Sequence, residues 1–324
     1  MKTGFAAALA AVAVLAFAAT AQAQEPYPSR PIKLIVPFTP GTGMDILART
    51  LGPGLAERWK VAVVVENRPG ASGNIGTEAV ARSPADGYTA LVTASTLVMN
   101  LSLFKSIPYD PVKDFAPVAL LAVGSLALVT HPSVPASNVQ ELIAYARGNP
   151  GKLNYGSPGN GTPHHLAMEL FKQQTGINVA HIPYKGTGPA TQDLLGGQIQ
   201  AMFLTVHVAL PLVQAGRLRM LAAGGTERSA AAPQVPSLAE ASGIRNIDTD
   251  IWFAIYLPAG TPQEAVAKLN AELNALLKVP GTVEALGKQG LQAVGGPPER
   301  LAQLTRDDMA RWAQVVREAG IKPD

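Results

Sequence analysis

Two glycine-bearing stretches hold the residues best suited to chemistry. Thr39, Pro40, Gly41, Thr42 and Asp45 fall within Ile32–Asp45 (IKLIVPFTPGTGMD), and Ser157, Asn160, Gly161, Thr162 and His164 within Tyr155–His165 (YGSPGNGTPHH). Both turns combine glycine with small hydroxyl or amide side chains, and neither 39–43 nor 157–162 contains Lys or Arg. Each follows an apolar run and precedes an apolar-periodic segment, the order of a strand, a tight turn and a helix N-terminus. The unpaired amides and positive dipole end of such a helix attract anions. Each helix end contributes ~0.3–1 kcal/mol when exposed and up to ~2 kcal/mol when partly buried. The reading is that the two loops face each other and hold one small anion, such as a carboxylate, through main-chain donors.

Other chemistries fit less well. Gly41-Thr42-Gly43 lacks the third glycine of G-x-G-x-x-G, and no GxxxxGK[ST] occurs, which disfavours nucleotides. His164 and His165 lack the H-E-x-x-H arrangement, and adjacent helical positions do not share a face, so no metal site is assigned. One of these histidines can instead donate to a ligand carboxylate. A serine hydrolase is the enzymatic alternative, but Gly70-Ala71-Ser72-Gly73-Asn74 and Gly156-Ser157-Pro158 both miss the G-x-S-x-G elbow. Asp45, in the first turn of a helix, either touches the ligand or complements the dipole and binds a nearby amide. No cofactor is assigned.

These loops need a scaffold of alternating strands and helices. Ile32–Phe38, Val61–Glu66 and Thr89–Thr93 read as parallel strands, with helices at Met44–Leu55 and Asn74–Arg82 between them. In such sheets ligands sit beyond the carboxyl ends of the strands, where loops 39–43, 67–74 and 94–97 fall. Asn67, Ser95 and Thr96 thereby join the candidates. Ala116–Val123 and Leu126–Thr130 carry the chain into a second unit of the same style. That unit has a helix Ser137–Arg147, with Ser137 as N-cap and Gln140 completing a capping box. It also has a helix from Thr162-Pro163 to Gly176 and strands at Leu153–Gly156, Val179–Pro183 and Ala201–Leu204. Its third strand-to-helix loop, Ile182–Pro189, adds Tyr184 and Lys185, the latter a point charge for an anion. Trp252–Leu257 returns to the first unit, Trp252 and Phe253 reading as core or hinge packing. Thr261-Pro262-Gln263-Glu264 repeats the capping signature before Gln263–Leu277, and Pro280–Gln289 and Pro298–Ala319 read as further helices. The fold class is therefore α/β, with two mostly parallel sheets flanked by helices and two crossings, near 123 and 246, that form a hinge. No internal sequence repeat is evident.

Composition agrees. The formal charge of +3 becomes +2 (3 − 1) without Lys2, far from the basic footprint of a nucleic-acid binder. Without cysteine there are no disulfides, thiolates or Cys-ligated metals. Met1-Lys2, the apolar run Phe5–Ala19 and Ala21-Gln22-Ala23 read as a signal peptide, residues 1–23. At ~15 residues, that run is short of the ~20 needed to span a bilayer. Export follows. The domains are then 24–122 with 246–324, and 123–245.

The motifs also carry a resemblance. YPSRPIKLIVPFTPGTGMDILART, VVENRPGASGNIGTEAVARSPADGYT, NYGSPGNGTPHHLAMELF, IPYKGTGPATQDLLGGQIQAMF, LVQAGRLRMLA and LPAGTPQEAVAKLN are together similar to the extracytoplasmic solute receptors of tripartite tricarboxylate transporters, the Bug family. The similarity covers nearly the whole sequence beyond the signal peptide. It implies a periplasmic, two-domain Venus-flytrap receptor, monomeric and without catalysis, that captures a small carboxylate and delivers it to a membrane permease. A sensory partner of a membrane kinase would use the same fold. The resemblance places ligand contacts on Thr39, Pro40, Gly41, Thr42 and Asp45, and on Ser157, Asn160, Gly161, Thr162 and His164. Relatives commonly carry an Asp-Asn-like pair where this chain has Leu204-Thr205. Loss of that carboxylate implies a ligand without an amine, an aliphatic or aromatic mono- or dicarboxylate, against which Leu204 could pack.

Overall fold

The computed structural model describes residues 26–318 except 246 and 248. The expected signal peptide lies outside the described residues.

The first sheet has the order β11-β4-β10-β3-β1-β2, with β1 (Ile32–Val36), β2 (Val63–Asn67), β3 (Thr89–Ala94), β4 (Phe115–Gly124), β10 (Ile251–Pro258) and β11 (Leu291–Ala293). β1 pairs in parallel with β2 and β3; β10 runs antiparallel to both β3 and β4, and β11 antiparallel to β4. Four of its six strands, β1 to β4, therefore share one direction. The second sheet has the order β7-β6-β8-β5-β9, with β5 (Leu126–Thr130), β6 (Asn154–Ser157), β7 (Ala180–Pro183), β8 (Ala201–Thr205) and β9 (Arg219–Ala223). There β5 alone is reversed. In both sheets the order from the parallel edge is second, first, third, a reversed strand, then fourth. The topology repeats although the sequence does not.

The reversed strands β5 and β10 are those that follow the passages between the sheets. The chain leaves the first sheet through Ser125, between β4 and β5, and returns between β9 and β10. β10 is buried along all eight residues, as a strand with elements on both faces must be.

Helices α1 (Gly43–Trp59), α2 (Asn74–Ala81), α3 (Thr96–Leu103), α4 (Val139–Gly148), α5 (Pro163–Thr175), α6 (Thr187–Leu195), α7 (Val206–Gln214), α8 (Leu238–Ser242), α9 (Gln263–Leu276), α10 (Pro280–Lys288) and α11 (Pro298–Glu318) cover the faces. One apolar cluster runs from α1 and β1 through Ile251, Phe253 and Leu126 to α4 and α5. A second fills the other face of the first sheet under α3 and α11, and a third the other face of the second sheet under α6 and α7.

Two caps differ from the sequence reading. The N-cap of α4 is Asn138, whose Oδ1 accepts from the Glu141 amide at 2.9 Å. The Glu141 carboxylate reaches back to the Ser137 amide at 2.7 Å, one residue before the N-cap, so the expected Ser137/Gln140 box does not form. Before α9 the N-cap is Pro262, without a side-chain bond; the Thr261 hydroxyl donates to the Pro258 carbonyl at 2.7 Å and closes the preceding turn instead. A third element, α3, is absent from the sequence reading, which leaves Ser95-Thr96 as a loop.

Candidate functional site

Between the facing edges of the two sheets lies a cavity lined by Phe38, Gly41–Met44, Ala94, Thr96, Pro158, Thr162–His164, Thr187, Thr205, Ile251 and Phe253. It is narrow, about 30 Å³, on a scale where one water needs ~10–15 Å³. Five helices start at its wall. Gly43 and Met44 open α1, Thr96 opens α3, Pro163 and His164 open α5, Thr187 opens α6, and Thr205 is the N-cap of α7. Among the described residues, no Lys, Arg, Asp or Glu lines it. The field inside comes from peptide dipoles and is positive at each of the five ends.

The helix ends differ in what they leave free. In α5, the Thr162 hydroxyl accepts from the His165 amide at 3.4 Å. In α1 the N-cap Thr42 makes no such bond, its hydroxyl donating to the Thr39 carbonyl at 3.2 Å. The first-turn amides of α1 therefore have no intrahelical or side-chain acceptor among the described residues. Gly43 is required there by close approach, since a Cβ would stand 2.6 Å from Cζ of Phe253.

His164 supplies the polar side chain. It is 8% exposed, and neither ring nitrogen has a hydrogen-bond partner among the described residues. Burial, with His207 nearby, lowers its pKa to about 3, so the ring is neutral and offers one donor and one acceptor. His165 points elsewhere. Its Nδ1 accepts from the Gly161 amide at 3.2 Å, and its ring stacks on His181 at 4.2 Å between centroids.

The loop before α1 is braced from behind. Asp45 Oδ2 accepts from the Gly41 amide, and Oδ1 from Arg49 Nε and Asn67 Nδ2, all at 3.0 Å. Asn67 Nδ2 also donates to the Phe38 carbonyl at 3.0 Å. Burial by itself would raise the Asp45 carboxyl. The bonds from Arg49, Gly41 and Asn67, with the Arg49 charge, instead leave it below the ordinary carboxylate range. Asp45 and Asn67 thus fix the loop's shape from outside the cavity.

Of the residues singled out from sequence, Gly41, Thr42, Thr96, Thr162, His164 and Thr205 come together on the cavity wall. Thr39, Tyr184 and Lys185 line an adjoining outer chamber. Pro40, Asn160 and Gly161 line neither; the Asn160 carbonyl accepts from Ser72 Oγ at 2.5 Å, tying the second loop to the 70–73 turn beside the first sheet. Ser95 is buried behind Thr96, as N-cap of α3. Ser157 is fully buried, its hydroxyl bonded to His181 Nε2 at 2.7 Å and to the Gly159 carbonyl at 3.0 Å. This Ser–His pair lies off the cavity, and His181 stacks on Tyr155 and His165. Leu204 faces away. On β8, Ala201 and Phe203 face the central cluster while Met202 and Leu204 belong to the cluster under α6 and α7. Period-2 alternation then returns Thr205 to the cavity side, so Leu204 is a core residue and packs against no cavity occupant.

Phe38, Gly43, Met44, Ala94, Pro158, Pro163, Thr187, Ile251 and Phe253 complete the wall without having been singled out as ligand contacts. Thr187 carried a signal, being in the third strand-to-helix loop. Ile251 and Phe253 carried none, because they arrive on a strand from the far end of the chain.

The family model described as "Tripartite tricarboxylate transporter family receptor" matches residues 47–321. The chain belongs to this receptor family. Protein BugT of Bordetella pertussis (strain Tohama I) is 41% identical over 298 residues, covering 91% of each chain. The structure of R. palustris Rpa4515 with adipate superposes with a TM-score of 0.88 at 36% identity, over 92% of this chain and all of that one. MatC (Rpa3494) from Rhodopseudomonas palustris with bound malate does so at 0.84 and 30%, over 90% and 100%. The fold is that of periplasmic binding proteins, and the receptor family is a solute-binding and not an enzymatic one. No helix among the described residues is long and apolar enough to cross a membrane.

Proposed function

We propose that this receptor captures a small carboxylate lacking an amine and presents it to the membrane permease of a tripartite tricarboxylate-type transporter. The observation that carries this reading is the convergence of five helix N-termini on a cavity with no charged side chain. Such a wall stabilises a negative charge and provides no counter-charge for an ammonium group. The carboxylate sits against the first-turn amides of α1, with His164 and the Thr96 and Thr205 hydroxyls completing its hydrogen bonds. Adipate and malate in the solved relatives are acids of this kind.

In this reading the protein works in the periplasm as a monomer, after loss of residues 1–23. Residues 24–122 with 246–324 form one body and 123–245 the other, joined at a hinge. The acid docks on the first body, and closure brings Thr162, His164 and Thr205 onto it. Closure is a population shift limited by the ligand's differential affinity for the closed state. The test is a thermal-shift panel of small carboxylates alongside amino acids of matched length, since a ligand of the native state raises its melting temperature. Stabilisation by amine-free acids is the expected result. Stabilisation by amino acids alone, or by no acid at all, overturns the reading.

A further inference from the structure

The turn at 70–73 is built against its own backbone preferences. Gly70, Ala71, Ser72 and Gly73 all have positive φ, at 133°, 45°, 52° and 90°. Glycine adopts such angles freely, but Ala71 and Ser72 carry a Cβ that crowds the following carbonyl there. Strain of this kind persists only where the surroundings hold it, and it gathers at clamps and switches. Asn100, on α3, does the holding. It is 1% exposed, and its Nδ2 donates to the Ser72 carbonyl at 3.0 Å and to Asn74 Oδ1 at 2.7 Å. Asn74 Oδ1 also accepts from the Tyr109 hydroxyl at 2.8 Å, so the support is itself anchored. We propose that Ser72 is a clasp: positioned by Asn100, its hydroxyl fastens the second body to the first, and part of the receptor's grip on its ligand comes from a contact the ligand never touches. This rests on the two-body closure described above and adds to it the residue that holds the closed form.

Reach is the first argument. Ser72 Oγ donates to the Asn160 carbonyl at 2.5 Å, a bond from 24–122 to 123–245. The surface it grips is the second. A Cβ on Gly159 would lie 3.1 Å from Ser72 Oγ, and one on Gly161 would lie 2.8 Å from Asn100 Oδ1 and 3.2 Å from Leu103 Cδ1. Two glycines therefore bring bare backbone of the second loop against Ser72 and Asn100, where any side chain would hold the bodies apart. Location is the third. Ser72 lines the outer chamber and is absent from the wall of the inner cavity, so the clasp closes beside the helix ends that face the anion and not among them.

The test is calorimetry and stopped-flow binding on the full protein with adipate and malate. Ser72→Gly and Ser72→Ala each weaken binding about three- to tenfold, the range of one neutral hydrogen bond. The factor is the same for both acids and appears in the dissociation rate. Ser72→Gly also relieves the strained φ, so its urea midpoint stays at or above the parent's while its affinity falls. Asn100→Ala raises the dissociation rate by itself but adds nothing to Ser72→Gly, because it acts through the same bond. Unchanged affinity in both Ser72 variants overturns the clasp and spares the carboxylate reading. Weakening confined to one acid does the same, being the mark of direct ligand contact at Ser72. Full additivity of Asn100→Ala and Ser72→Gly overturns the positioning of Ser72 by Asn100. Binding of neither acid by the parent overturns the clasp and the carboxylate reading together.

Discussion

Replacing Gly43 by alanine asks whether main-chain donors hold the anion. A Cβ at residue 43 would lie 2.6 Å and 2.8 Å from Cζ and Cε1 of Phe253, where ordinary contact begins at 3.4 Å. One side must yield by 3.4 − 2.6 = 0.8 Å. Phe253 is 2% exposed on a strand buried along its whole length, and close-packed interiors give little. The first turn of α1 moves instead, carrying its free amides away from the cavity. A hydrogen bond to a charged group contributes ~1.5–3 kcal/mol, and ~1.4 kcal/mol is tenfold in affinity. Loss of about one such bond weakens carboxylate binding roughly ten- to a hundredfold. Gly54→Ala is the matched control, because its Cβ would meet Leu276 Cδ2, also at 2.6 Å, in the same helix but away from the cavity. Overpacking costs ~1–3 kcal/mol in each variant, partly offset by the ~0.5–1 kcal/mol advantage of alanine over glycine in a helix. Urea unfolding then reports comparable stabilities, while calorimetry with an acid that stabilises the parent separates the two. A folded Gly43→Ala protein that binds like Gly54→Ala refutes the assignment of the α1 amides.

Asp45→Asn is expected to lower stability by ~1–3 kcal/mol at neutral pH, since charge-assisted bonds that shape the first loop are lost. The Asp45 pKa is depressed on folding, so its contribution is full above the ordinary value of ~3.9 and disappears as pH falls through the folded value. The variant's deficit in urea titrations should accordingly shrink in acid; a constant deficit counts against the bracing role. Burial lowers His164, His181 and His207 to about 3, 3 and 4. The unfolded chain takes up protons below ~6.5 that the folded chain refuses, so urea midpoints should fall between about pH 7 and about pH 5. A midpoint unchanged over that interval contradicts the buried, neutral state. Leu204→Ala should cost ~2–5 kcal/mol of stability as a core truncation and leave the affinity of the folded protein unchanged in calorimetry. Thr205→Asp, which puts a carboxylate on the cavity wall, should weaken amine-free acids at least tenfold and leave amino acids relatively favoured. The reverse pattern at 204 and 205 would contradict the β8 face assignment.

Local chemistry in the chain already determined the elements and the kind of site. The runs IKLIV and LALVT could be little but buried strands, and Thr162-Pro163 and Gly176 marked both ends of α5. Gly41 and Gly161, both at positive φ, announced the two turns because L side chains rarely adopt that conformation. Tertiary structure alone decided which residues meet across the cleft. Ile251 and Phe253 reach the wall by antiparallel pairing of β10 with β3 and β4, over a sequence distance that no local pattern encodes. Asp45, Asn67 and Ser157 have the composition of ligand contacts but spend their polar atoms on loops and on each other, because a buried polar group bonds to whichever partner the fold brings nearest. Leu204 and Thr205 are neighbours in sequence and opposites in the fold, separated by the alternation of a strand buried on both faces. The repeated strand order is likewise invisible in residue identity, since topology is fixed by which apolar surfaces must be covered and not by which side chains cover them.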